Sequence, residues 1–169
     1  MSEITEAVYA FLEQSGIAYR RMRHDPTGSM AECAAVDGVL GALTPKNLFL
    51  TTKNGKRFYL CLARPDVRFC TSQVSRQAGS SRLSFAPEAA LLEKLRCRAG
   101  SASPMGLIFP EARGVGLIVD SGLPACGTLG FHPCDNTETL AMAAGDFFGV
   151  FLPAVGVSPV FVDMPAGEA

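Results

Sequence analysis

Few side chains in this sequence could carry out chemistry, and they are scattered. His24 and His132 are the two imidazoles among 169 residues. A hydrolytic triad needs a nucleophile, a base and an orienting acid, with histidine the usual base. His132, in "LGFHPCDNT", sits at a strand end before Pro133, where side chains commonly point into clefts; a shaping role and a functional one are both open. His24, in "RRMRHDP", has cationic neighbours and reads as a surface strand end. No G-x-S-x-G elbow is present, which disfavours a serine hydrolase of that type. Lys46, in "TPKNLFLTT", follows a proline and precedes an apolar run, which leaves a flexible ammonium at a strand mouth. Such a lysine either binds phosphate, stabilises a developing oxyanion or is simply solvated. The stretch "GSASPMGL", residues 100–107, gathers small residues around one proline beside an apolar run. A core strand would use β-branched or aromatic residues, and a turn needs only one glycine or proline, so something besides packing selects them.

The remaining motifs are mostly exclusions. Cys33, Cys61, Cys70, Cys97, Cys126 and Cys134 form no C-x-x-C pair, so a zinc site or thioredoxin-like motif is unsupported and the thiols read as small buried hydrophobes. Cys126 and Cys134 flank "GTLGFHP" and are candidates to meet across a hairpin. Neither G-x-G-x-x-G nor G-x-x-x-x-G-K-[ST] occurs. Hydrophobic residues make up 48% and charged residues 18%, without an apolar run of membrane-spanning length. The start, "MSEITEAVYAFLEQ", carries acids where a signal peptide carries lysine or arginine, so cytoplasm is the expected compartment. Residues 1–99 carry 14 Lys and Arg against 9 Asp and Glu, and residues 100–169 carry one against seven. The basic half could face an anion or be solvated, but it holds no dense nucleic-acid-binding tail.

These residues must be positioned by short, alternating elements. Ile4, Val8, Phe11 and Leu12 recur at helical spacing, with Gly16 closing the helix. Residues 17–23 read as a strand, "DPTG" breaks the chain, and Ser29 with Glu32 forms a capping-box pattern opening a second helix. "NLFLTTKNGKRFYLCLA" predicts a hairpin with Asn54-Gly55 as its two-residue turn. Helices follow near 72–78 and 87–95, the latter with Pro87 at its first position. "GLIF", "GVGLIVD", "GTLGFHP" and "TETLAMA" read as strands, "GDFFGVFL" as a helical turn or two, and "SPVFVDM" as a closing strand. The mixture predicts a single α+β domain with a mixed, partly barrel-like β-sheet flanked by helices.

Taken in order, "PKNLFL" (45–50), "RLSFA" (82–86), "GSASPMGL" (100–107), "VD" (119–120) and "GFHPCDNT" (130–137) resemble the YbaK/prolyl-tRNA synthetase-associated editing domain family. Within it the resemblance is to the free-standing alanyl-tRNA(Pro) deacylase branch, over nearly the whole chain. It implies hydrolysis of the ester of mischarged Ala-tRNA(Pro), the error that arises because a pocket built for proline rejects a smaller amino acid by only a few kcal/mol. By the same resemblance Lys46 contacts the 3′-terminal phosphate or the reacting end, and Asn47 and Arg82 contact tRNA. The loop of Gly100, Ser101, Ala102, Ser103 and Pro104 lies against the ester as an oxyanion cradle, and His132 shapes the aminoacyl site. Met30 lines the small pocket with Phe49 or Leu48 beside it. "TGSM" departs from the family's more usual tyrosine- or threonine-bearing stretch. The implied partner is the acceptor end of mischarged tRNA(Pro), with prolyl-tRNA synthetase a candidate second partner; no cofactor, metal, membrane or DNA is implied. A deacylase for Cys- or another mischarged tRNA and a non-catalytic tRNA-end or aminoacyl-ligand binding module remain as alternatives. The joint presence of Lys46, Gly100, Pro104 and His132 favours catalysis.

Overall fold

A computed structural model describes residues 2–27 and 29–167. The first helix, α1 (Glu3–Gln14), opens where the Ser2 hydroxyl accepts the Thr5 N–H, and it buries Val8, Tyr9 and Leu12. Gly16, at φ 71°, supplies the left-handed residue that ends it. After β1 (Arg20–Arg23), the expected capping box is present: the Ser29 side chain accepts the Glu32 N–H and Glu32 reaches back, opening α2 (Met30–Leu40). Gly28, in the "DPTG" and "TGSM" stretches, lies outside the described residues.

The strands that follow are β2 (Lys46–Thr52), β3 (Phe58–Ala63), β4 (Leu83–Phe85), β5 (Gly116–Asp120), β6 (Thr128–Phe131), β7 (Glu138–Ala143) and β8 (Val160–Val162). They form two sheets rather than one. Five strands run in the order β4-β2-β3-β5-β8, and three in the order β1-β7-β6. The larger sheet is mixed, with β2 antiparallel to β3 and β4 while β5 is parallel to β3 and β8. The smaller is antiparallel. Neither closes into a barrel. The main core lies where α1, Met105, Leu107 and the aromatic run Phe147–Phe151 meet the apolar faces of both sheets. Phe131 and Phe147 pack with centroids 4.8 Å apart, and Phe11 meets Phe151 edge-on at 5.7 Å.

The helices α3 (Thr71–Gln77) and α4 (Glu88–Leu95) fall where expected, with Pro87 as the cap preceding α4 rather than its first residue. "GDFFGVFL" is helical, as α5 (Ala144–Asp146), a π-helical turn (Phe147–Phe151) and α6 (Leu152–Val155). Two local readings are corrected. The hairpin turn is wider than two residues: Thr52 N–H donates to Arg57 O at 3.1 Å, enclosing residues 53–56. Within it the Asn54 side chain takes hydrogen bonds from Thr52 and Lys56, which stabilise the longer loop. "GLIF" is no strand but part of a buried 3-10 helix, Pro104–Ile108. Pro104 presets its first turn, and the Ser103 hydroxyl accepts the Met105 N–H at 3.1 Å. Cys126 and Cys134 do not meet: Cys126 donates to Gly122 O, while Cys134 lies against Cys97.

At the far end of β5, buried Asp120 binds the Arg64 guanidinium at 2.8 and 3.2 Å and accepts the Gly122 N–H. Burial drives this carboxyl up, but those hydrogen bonds outweigh it and hold Asp120 below the ordinary carboxylate range. The "VD" pair therefore ties β3 to β5.

Gly106 allows the 3-10 helix to lie directly on α4, since a Cβ there would stand 2.3 Å from Leu95 O and 2.8 Å from Leu95 Cβ. Gly106→Ala is expected to destabilise the protein by about 1–3 kcal/mol through overpacking against backbone. The urea midpoint should fall at unchanged slope.

Candidate active site

The end of α2 and the beginning of β2 are locked together before the site begins. Asp37 accepts the Thr44 N–H at 2.7 Å and the Thr44 hydroxyl at 2.5 Å. Leu43 N–H donates to Thr128 O, and Gly130 N–H donates to Leu43 O, both at 2.9 Å, joining this lead-in to β6. A Cβ on Gly130 would stand 2.6 Å from Thr44 Oγ1, so the close approach requires glycine.

This junction frames a cleft of about 230 Å³. Ser29, Met30 and Cys33 line it from the first turn of α2, with Thr27 just before them. Thr44, Pro45 and Asn47 come from the start of β2, Gly100 and Ala102 from the small-residue loop, and His132 from the end of β6. Met30, Asn47, Gly100, Ala102 and His132 are thus brought together as expected from the sequence.

The other named residues lie elsewhere. Lys46 faces the opposite side of β2 from Asn47, where its ammonium donates to Val67 O at 3.1 Å in a separate cleft with Asp66 and Arg68. Phe49 is core, stacked on Phe58 at 5.6 Å, and Leu48 packs against the second apolar cluster with Leu50 and Tyr59. Arg82 is exposed just ahead of edge strand β4. Ser101 is turned inward, exchanging hydrogen bonds with the Arg98 backbone at 3.1 and 2.9 Å. Ser103 and Pro104 are buried at the start of the 3-10 helix. The two serines shape the loop, and neither lines the cleft.

Thr27, Cys33 and Thr44 line the cleft without having been singled out from sequence. Cys33 had a usable signal: it stands three residues after Met30 on a helix whose capping box was legible, so the two share a face. Thr27 and Thr44 had none, because their placement depends on the second sheet.

His132 is buried, and its Nδ1 lies 2.9 Å from Glu138 O, which assigns the proton to Nδ1 and leaves Nε2 as an acceptor. Nε2 faces Thr27 Oγ1 at 3.5 Å, a long contact. Burial pushes the His132 pKa down, the neighbouring His24 adds to that, and the Glu138 carbonyl opposes it. The ring is therefore neutral at neutral pH. Asp135 accepts the Thr137 N–H at 2.8 Å and hydroxyl at 2.7 Å, setting the turn after His132. Glu138 anchors the return strand: its carboxylate accepts the Tyr9 hydroxyl at 2.8 Å and pairs with Arg21 at 2.9 Å.

The described residues hold no group of three or more His, Cys, Asp or Glu side chains placed to bind a metal. Within the cleft no hydroxyl or thiol makes the short bond to a histidine that would activate it as a nucleophile.

A model of the aminoacyl-tRNA editing domain matches residues 24–149, and the chain belongs to that family. It is thereby an aminoacyl-tRNA deacylase by class, a hydrolase acting on a carboxylic ester. It is 31% identical over 141 residues to the prolyl-tRNA editing protein ProX of Acetoanaerobium sticklandii, covering 83% of this chain and 86% of that one. Similarity to prolyl-tRNA synthetase associated domain-containing protein 1 of Danio rerio is 28% over 162 residues, covering 95% and 87%. The fold matches the crystal structure of a proposed trans-editing enzyme for prolyl tRNA synthetase, with TM-score 0.74 at 18% identity over 99% of each chain.

The depressed His132 pKa has a consequence for stability. Because the unfolded imidazole, near pKa 6.5, binds its proton more readily than the folded one, stability is complete above about pH 7 and declines as pH falls through that range. Thermal melts of the wild type should fall between pH 7 and 5.5, and the decline should be shallower in His132→Gln.

Proposed function

We propose that the chain hydrolyses Ala-tRNA(Pro) in trans, releasing alanine. The observation that carries this reading is the Asn47 carboxamide. Its amide N–H donates to Pro45 O at 3.0 Å, and its Oδ1 is buried without a partner among the described residues. A buried acceptor left unmatched costs about 1–3 kcal/mol. An aminoacyl ester brings donors that would remove that cost, its α-ammonium above all. The cleft that Asn47 lines is bordered by small residues, Gly100 and Ala102, with half-exposed Met30 beside them. Small lining residues of this kind suit a small amino-acid side chain such as the methyl of alanine.

The ester arrives activated, so hydrolysis requires polarisation of its carbonyl and a placed water or ribose hydroxyl, not a protein nucleophile. The backbone N–H groups of Gly100, Ala102 and Ser103 are the candidates for the oxyanion, since Ser101 N–H is given to Arg98 O and Pro104 has none. Gly100, at φ 83°, holds a conformation that side-chain-bearing residues rarely adopt. Lys46 is assigned the 3′-terminal phosphate, reached by swinging its flexible stem away from Val67 O. Prolyl-tRNA synthetase remains a candidate partner on the strength of the relatives' names.

The deciding experiment measures amino-acid release from Ala-, Pro- and Cys-tRNA(Pro). Alanine should be released and proline retained. Asn47→Ala should lower kcat/KM about tenfold or more, the effect of one lost buried hydrogen bond of about 1.4 kcal/mol or above. Lys46→Ala should slow release without lowering the melting temperature appreciably. Release of cysteine alone would move the substrate, and no release from any of the three would leave a binding module. Separately, Gly100→Val would place a β-branched residue at positive φ, with its Cβ about where Asn136 Nδ2 lies 3.6 Å away. Deacylation should be lost while cooperative unfolding persists; full activity in the folded variant would dismiss the loop as the ester's cradle.

A further inference from the structure

Two thiols that the proposed reaction does not use lie together behind the cleft. Cys97 precedes Gly100 by three residues, and Cys134 follows His132 by two. Cys97 Sγ donates to Leu95 O at 3.2 Å, and Cys134 Sγ approaches the same oxygen at 3.9 Å. Both sulfurs thus converge on one carbonyl oxygen, close enough for each thiol to feel the other. The backbone is bent to bring them there. Among the described residues, the non-glycine positions with positive φ are Arg96, at 52°, directly before Cys97, and Cys134 itself, at 62°. Left-handed backbone at such residues is a strain that the surroundings must hold in place. Arg96 takes it as the cap that ends α4, and Cys134 takes it in the turn after His132.

We propose that Cys97 and Cys134 are a redox-sensitive pair, oxidised by a peroxide to a disulfide that fastens the Gly100 wall of the cleft to the His132 wall. Half-buried Cys134 reacts first: its thiolate attacks one peroxide oxygen, the O–O bond breaks, and a sulfenic acid forms as water leaves. The Cys97 thiolate then attacks that sulfur, the S–S bond forms and a second water leaves. Two thiol protons end in water, both sulfurs are oxidised and the peroxide oxygens are reduced. The Cys97 thiol beside it and burial raise the Cys134 pKa, whereas half-buried Cys70 has its thiol lowered by its hydrogen bond to Ser72 and is the faster to react.

The rate consequence rests on the deacylase reading; the bond itself does not. The full chain is treated with hydrogen peroxide, alkylated and digested without reductant, with Cys70 oxidation as the measure that peroxide was delivered. A peptide linking Cys97 to Cys134 is expected, removed by dithiothreitol and absent from Cys134→Ser. Cys97→Ser serves as the second control if it folds. Alanine release by the wild type should change at least threefold on oxidation and recover with reductant, while the Cys134→Ser rate stays as it was before peroxide. Oxidised Cys70 with no Cys97–Cys134 link overturns the pair. A mapped link with an unchanged rate, or an equal loss of rate in Cys134→Ser, overturns its hold on the cleft. A mapped link in a protein that releases no amino acid from any tRNA would instead tell against the deacylase reading.

Discussion

The approach of Gly130 to Thr44 is the constraint on which the site depends. With no side chain at 130, the lead-in to β2 lies against β6, and the Leu43 backbone hydrogen-bonds on either side of the contact. The Asp37 carboxylate holds Thr44 from the other direction, through N–H and hydroxyl together. One point thus fixes a helix end, a strand of each sheet and the distance between the sheets. Asn47 stands three residues beyond Thr44, and His132 two residues beyond Gly130, so their facing positions are inherited from it. A cleft assembled this way is held by backbone and short side chains, which have little rotamer freedom to lose.

Around that junction, charge is used where apolar packing alone would leave strands free to slide. Glu138 takes the Tyr9 hydroxyl and the Arg21 guanidinium on its carboxylate while its own carbonyl receives His132 Nδ1–H. Arg21 also lies 4.5 Å over the Tyr9 ring. One residue at the start of β7 therefore connects α1, β1 and the histidine of the cleft. The Arg64–Asp120 pair does comparable work at the other sheet, where Asp120 is fully buried and its oxygens are matched by Arg64 and Gly122. Such a pair is costly to desolvate and costlier to break from one side, so it specifies the alignment of β3 and β5 more than it adds net stability.

Elements whose signals are local were legible in the sequence. The spacing of Val8 and Leu12, the left-handed Gly16, and the reciprocal bonds of Ser29 and Glu32 each act within a turn of helix, and each was found in place. Period-two alternation also implies that Lys46 and Asn47 face opposite ways; it does not say which of them meets the cleft. That choice is made by the smaller sheet, through contacts some 80 residues away in sequence. "GLIF" misled for a related reason. Its apolar run is compatible with strand or buried helix, and the decision came from Ser103, Pro104 and the contact of Gly106 with Leu95. The small-residue loop was correctly singled out, but the sequence could not separate Gly100 and Ala102, which line the cleft, from Ser101 and Ser103, which turn away to cap their own backbone.

The pattern of unsatisfied groups narrows the chemistry further. Among the described residues Asn47 Oδ1 has no partner, and neutral His132 presents Nε2 with only a long contact to Thr27. Both are acceptors, and the residues lining the cleft include no carboxylate. Acceptors so placed suit donors on a ligand, such as an ammonium or ribose hydroxyls. In the proposed reading these uncharged acceptors, held in place by a glycine contact, take the donors of the charged tRNA end while the loop's N–H groups face the ester oxygen.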